Sequence, residues 1–178
     1  MSNIVLNEKR KADEPQTEAA RFLARRGVLM MKEFREIGTI RCEYGKKIAI
    51  KTLVITSAVM TTGNISHSIA FDLIDEDGRE SDSAFLDFDE TEEFINAFDF
   101  ITTRAKQMSA EVRDYTEVIY ISKDGITFGY YQSEGVQQPF VRLGSYSDTT
   151  FLSFQWLQSM KQALEMAKSH LISRGAEI

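Results

Sequence analysis

Cysteine is nearly missing from this chain. Its 178 residues hold one, Cys42, which excludes an intrachain disulfide and a thiolate zinc site, since each needs at least two thiols. Histidine is almost as scarce, with only His67 and His170, and there are two prolines and one tryptophan. No two-histidine metal spacing, Gly-rich phosphate loop or nucleophile-and-base cluster is visible, so neither a catalytic residue, a metal ligand nor a cofactor is expected. Long apolar runs are lacking too. Charges at Glu8, Lys9, Arg10, Lys11, Asp13, Glu14, Glu18, Arg21, Arg25 and Arg26 leave no room for the apolar core of a secretory signal in that stretch. Nothing elsewhere approaches the ~20 apolar residues of a membrane helix. A cytoplasmic protein without a membrane partner is the expectation. Net positive charge is also missing: 21 basic against 27 acidic residues give −6, which argues against a protein that grips nucleic-acid phosphates over its whole surface.

What is present is an ordinary globular composition, 43% hydrophobic and 27% charged, on a chain long enough for one compact domain without a staple. Residues 1–14 lack periodicity. Pro15, an early Glu18, late Arg25 and Arg26 and then Gly27 predict a short helix over 15–26, whose stripe of Ala19, Phe22 and Leu23 must dock to persist. The period then becomes two. Ile40, Cys42 and Tyr44 alternate with polar neighbours, Gly45 to Lys47 turns the chain, Ile48–Ser57 is β-branched, and Ile65, His67, Ile69, Phe71 and Leu73 share a face. A turn at Asp75-Glu76-Asp77-Gly78 leads into Ala84, Leu86 and Phe88, completing a four-stranded meander. From Asp89 the period is 3.6, with Phe94, Ala97, Phe98, Ile101, Ala105 and Met108 on one stripe behind an acidic first turn, which predicts a helix.

The pattern then restarts. Strands are predicted at 116–122, 126–132, 139–143 and 150–154, with a tight turn at Lys123-Asp124-Gly125, before a helix carrying Leu157, Met160, Leu164, Ala167 and Leu171. An offset of 66 residues pairs Phe85 with Phe151, Leu86 with Leu152 and Phe88 with Phe154, consistent with an internal duplication. The expected class is therefore α+β: two tandem four-stranded antiparallel meanders, each followed by a helix. It divides into a basic arm with a short helix (1–27), a first unit (28–110) and a second unit (111–178). Each helix must bury its stripe on a sheet, expected to be its own; whether helices exchange between units the pattern leaves open.

The scarce reactive residues read as structural. His67, in phase with Ile65 and Ile69, fits a hydrogen-bonded strand histidine; His170 sits where a helix dipole welcomes an imidazolium; Cys42, on the apolar phase, fits a buried inert thiol. Asp75, Glu76, Asp77 and Asp82 form an acidic patch without the spaced loop of a calcium site. Function is sought instead in the surface. Residues 1–51 hold 12 basic and 7 acidic groups, residues 72–99 hold 1 and 12, and residues 100–178 hold 8 of each, so the basic arm could dock on the acidic hairpin. Five of the six tyrosines fall between 115 and 146. Tyr120, Tyr130 and Tyr131 with Gln132 and Arg142 make the amphipathic surface that interfaces use.

The two meanders, each closed by a helix that begins FLDFDE (Phe85 to Glu90) or FLSFQW (Phe151 to Trp156), resemble the duplicated units of whirly and PUR type single-stranded nucleic-acid binders. The resemblance is architectural, spans residues 28–172 and carries no binding motif. It implies stacking of bases on exposed aromatics. The stretch Tyr115 to Gln132 (YTEVIYISKDGITFGYYQ) is also similar to segments of uncharacterised bacterial proteins, a likeness that implies no activity. The leading expectation is a non-enzymatic interaction module that binds a protein or itself through the tyrosine-bearing sheet. Single-stranded nucleic acid, disfavoured by charge, comes second, and an enzyme with an unrecognised site third.

Overall fold

The computed structural model describes residues 15–57, 65–144 and 147–177. The arm cations Lys9, Arg10 and Lys11, their expected docking on the hairpin, and Tyr146 lie outside the described residues. Helix α1 (Glu18–Ala24) precedes β1 (Met30–Arg41), β2 (Lys47–Ser57), β3 (Ile65–Ile74), β4 (Glu80–Asp87) and α2 (Thr91–Met108). Then come β5 (Thr116–Ile121), β6 (Ile126–Ser133), β7 (Val136–Leu143), β8 (Thr150–Phe151) and α3 (Phe154–Ser173). The strands make two antiparallel four-stranded sheets, each in sequence order, so the chain is α+β as its pattern predicts.

The details depart from the pattern at element ends. Helix α1 is shorter than expected: the Thr17 hydroxyl accepts the Ala20 N–H at 3.2 Å, and Arg25 is already extended. β1 begins ten residues before Ile40, because an edge strand tolerates charge on both faces and so hides its alternation. Tyr44 leaves the strand altogether, at φ 57 within a 3-10 turn, and is exposed. β8 stops at two residues because Ser153 turns away to cap α3, its Oγ accepting the Trp156 N–H at 3.3 Å.

The helices do not sit on the sheets that precede them. α3 lies across β1, β2 and β3, while α2 packs on β5 and β6. An amphipathic stripe states that one face must be buried but carries no address for the surface that buries it. The main core draws on both sheets and on α2 and α3. Its hub is Phe94 of α2, whose ring centroid lies 5.9 Å from Phe71 in the first sheet and 4.8 Å from Phe128 in the second. Phe98 stacks on Phe128 at 4.0 Å. Both histidines tie α3 to the first sheet: His170 Nδ1 lies 3.0 Å from the Thr52 hydroxyl, and His67 Nε2 lies 3.2 Å from the Arg174 carbonyl.

The opposite face of the first sheet carries α1, whose Ala19 and Phe22 close a small second core over Leu53 and Ile55. Burying a ring such as Phe22 contributes about 1.5–3 kcal/mol, which is how a seven-residue helix persists. Among the described residues, no helix is long and apolar enough to cross a membrane.

Candidate binding surfaces

Strand register decides which side chains of the second sheet share a face, because directly opposed residues point the same way. Val118 opposes Tyr130, Tyr120 opposes Phe128, and Phe128 opposes Val141; this face looks into the core. Tyr130 is fully buried, and its hydroxyl meets Met108 Sδ at 3.4 Å. Gln132 is fully buried as well. Its amide donates to the Met108 carbonyl at 3.3 Å and to the Glu111 carbonyl, and its oxygen accepts from Gln137 at 2.8 Å. Gln137 also donates to the Ala105 carbonyl at 2.9 Å, so the two glutamines together satisfy the open carbonyls at the end of α2. Tyr120 is half-buried, edge-on to Phe94 at 5.4 Å. Tyr130 and Gln132 are thus removed from the expected surface, and Tyr120 lies against the core.

The outward face carries the other phase. Glu117 opposes Tyr131, which opposes Gln138; Ile119 opposes Gly129, then Phe140, then Phe151. Tyr115, 60% exposed, lies nearly parallel to Tyr131 with centroids 6.0 Å apart, and Phe151 meets Tyr131 edge-on at 6.2 Å. Ile121, 58% exposed, lies further along the same face, opposite Thr127. Arg142, half-buried, shares this face opposite Thr127, and its Nε is enclosed without a hydrogen-bond partner. Tyr131 and Arg142 thus share the outward face of the sheet. Phe151, Ile119 and Ile121 join them only through the register, which no single strand's alternation reveals.

Gly129 shapes this face. A Cβ there would lie 2.0 Å from the Val118 carbonyl oxygen, so β5 approaches β6 more closely than any side chain at that position allows.

The four acids of the expected patch do come together. Asp75, Glu76 and Asp77, held in the β3–β4 turn by Gly78 at φ 78, line a cleft of about 540 Å³ with Asp82. Asp148 joins them from the distant chain, and Tyr44, Lys46 and Ser81 complete the wall. Asp82 accepts the Ser147 hydroxyl at 2.7 Å. Asp148 is the member that sequence reasoning missed.

A second acidic group sits at the β4–α2 junction. Carboxylate oxygens of Asp87, Asp89 and Glu90 lie within 4.8 Å of one another, close enough to hold a cation. In the fold they hold protein groups instead. Asp89 takes the Lys123 ammonium at 2.8 and 2.9 Å, Glu90 accepts the Lys123 N–H at 2.9 Å, and Asp87 accepts from α1. Burial pushes the Glu90 carboxyl above its ordinary range. Cys42 is half-buried, and burial pushes its thiol up to about 12, the condition of an unreactive sulfur.

These elements define two candidate surfaces, the aromatic outward face of the second sheet and the acidic cleft at the β3–β4 turn. No family model, curated protein or solved structure matches the chain.

Proposed function

We propose that this is a non-enzymatic binding module, working in the cytoplasm, that engages a protein partner through the outward face of its second sheet. The observation that carries the reading is the row Tyr115, Tyr131 and Phe151, with the exposed Ile119 and Ile121 on the same face. Rigid rings with polar tips beside exposed aliphatic groups are the composition from which interface centres are built. Stacking on a single strand would use the near-parallel Tyr115 and Tyr131 rings, but it needs a basic track beside them. Glu117 stands directly opposite Tyr131 instead. Arg113 is paired to Glu111, and the Tyr115 hydroxyl donates to Glu117.

The test places a photo-crosslinking phenylalanine analogue at Ile121 and, as a control, at Met166, which is equally exposed on α3. Cells expressing each are irradiated, with and without Tyr115→Ala and Tyr131→Ala. A discrete adduct from 121, absent from 166 and lost in the double variant, supports the reading. No adduct, or equal adducts at both positions, overturns it. A labelled single strand that shifts at low salt with the wild type but not the double variant replaces it with the stacking reading.

A further inference from the structure

β1 is an edge strand: it pairs with β2 on one side and with nothing on the other among the described residues. At 12 residues it is the longest strand among the described residues, and a long open edge is a template for another chain. Its exposed apolar groups make it a poor surface to leave in water, with Phe34 56% and Met31 54% exposed. The charges along it are ordered. Lys32, Glu33, Phe34, Arg35 and Glu36 reverse in sign on reflection about the ring, each cation on one side matching an anion at the same distance on the other.

If a second copy of this strand is laid antiparallel with Phe34 opposite Phe34, Lys32 faces Glu36 of the second copy and Glu33 faces its Arg35. Each pair then occurs twice by the two-fold axis. All four cross-strand charge pairs are attractive, and the two rings meet at the centre. Opposed residues share a face in antiparallel pairing, so Lys32, Phe34 and Glu36 fall on the α1 side and Glu33 and Arg35 on the α3 side. A one-residue slip in register would instead set Lys32 against Arg35 of the second copy, and Glu33 against its Phe34. Moreover, Lys32 and Arg35 have no ion-pair partner among the described residues, whereas Glu33 already pairs with Arg174 at 2.6 Å and Glu36 accepts from Thr39 at 3.2 Å. The two cations are thus the groups an added strand would satisfy. The bulge between Glu36 and Gly38 ends the straight segment just after this charged run.

We propose that the chain forms a two-fold dimer by pairing β1 with β1 of a second copy about Phe34, joining two first sheets into one of eight strands. The contact is isologous, so it closes at two copies. It uses a surface on the other sheet from the aromatic face and stands or falls separately from it. A pairing this short buries less than the ~1,200 Å² of a standard interface, so the dimer is expected to be reversible and concentration dependent.

Sedimentation equilibrium on the full chain tests it. Wild type should pass from monomer to dimer with rising concentration, and added salt should weaken the dimer. Lys32→Glu places Glu against Glu, and Glu36→Lys places Lys against Lys; each variant alone should dimerise roughly tenfold or more weakly. Mixing the two restores both outer pairs, so the mixture should form a one-to-one heterodimer about as tightly as wild type. That complementation also requires both variants to be folded. Tyr115→Ala with Tyr131→Ala should leave the dimer intact. A wild type that stays monomeric up to roughly 1 mM, charge variants that dimerise unchanged, or a mixture that gains nothing would overturn the proposal. Loss of the dimer in the tyrosine variant would overturn it as well.

Discussion

Asp87, at the end of β4, accepts the backbone N–H of Glu18 at 2.7 Å and that of Ala19 at 3.4 Å. A carboxylate from the first sheet thus caps a helix 69 residues earlier, alongside the local cap from Thr17. The cap holds α1 over Leu53 and Ile55, which links a hydrogen bond at the helix entrance to the burial of Phe22. Asp87→Ala should cost about 1–2 kcal/mol and loosen α1 before the sheets. Amide exchange at Phe22 to Ala24 should accelerate about tenfold, with β2 and β3 still protected.

Gly129→Ala should be among the most damaging small changes in the chain. The added methyl meets a carbonyl oxygen at 2.0 Å and the Ile119 Cα at 2.9 Å. Backbone cannot rotate away as a side-chain tip can, so β5 must separate from β6. Overpacking of this kind costs about 3 kcal/mol or more, readable as a lower denaturation midpoint. Gly78→Ala offers a contrast, since nothing lies within 4 Å of a Cβ there and only the left-handed backbone opposes it.

His170 makes stability depend on pH. Burial, then the nearby charges of Arg35 and Arg174, hold its imidazole below its ordinary 6.5. The folded state therefore resists the proton that the unfolded chain accepts, so stability is complete above pH 6.5 and is lost as the pH falls through the folded value. The carboxyls of Glu90 and Asp124 act in the opposite sense. Burial raises both, so folding favours their protonated forms and the fold weakens as rising pH ionises them. The histidine term is isolated by difference: between pH 7.5 and 5 the melting temperature of His170→Gln should fall less than that of wild type. Parallel profiles for the two proteins would remove His170 as the cause.

The sequence made the strands legible wherever one face is apolar and the other polar, as at Ile65 to Leu73, and it made both long helices legible through their stripes. It concealed β1, whose first seven residues set Lys32 and Glu36 on one face and Glu33 and Arg35 on the other. The acidic patch was readable because three of its members are consecutive, whereas Asp148 arrives from 66 residues beyond Asp82. Tyrosine density marked the second sheet but not the face that each ring takes. Tyr130 and Tyr131 differ by one position and by the whole thickness of the sheet, and the side follows from which helix covers it. That depends on the exchange of α2 and α3, a long-range fact that no local period encodes.

The exchange also sets the order in which the chain can be completed during synthesis. When the ribosome has released β1 to β4, the sheet is hydrogen-bonded but the helix that covers Ile48, Ile50 and Ile69 is still more than 60 residues away in the tunnel or unmade. Contacts of that sequence separation are slow to form, and an uncovered sheet face is open to wrong partners. Nascent chains arrested before Phe154 should accordingly be the species that chaperones hold, and release should coincide with the arrival of Leu164 and Leu171.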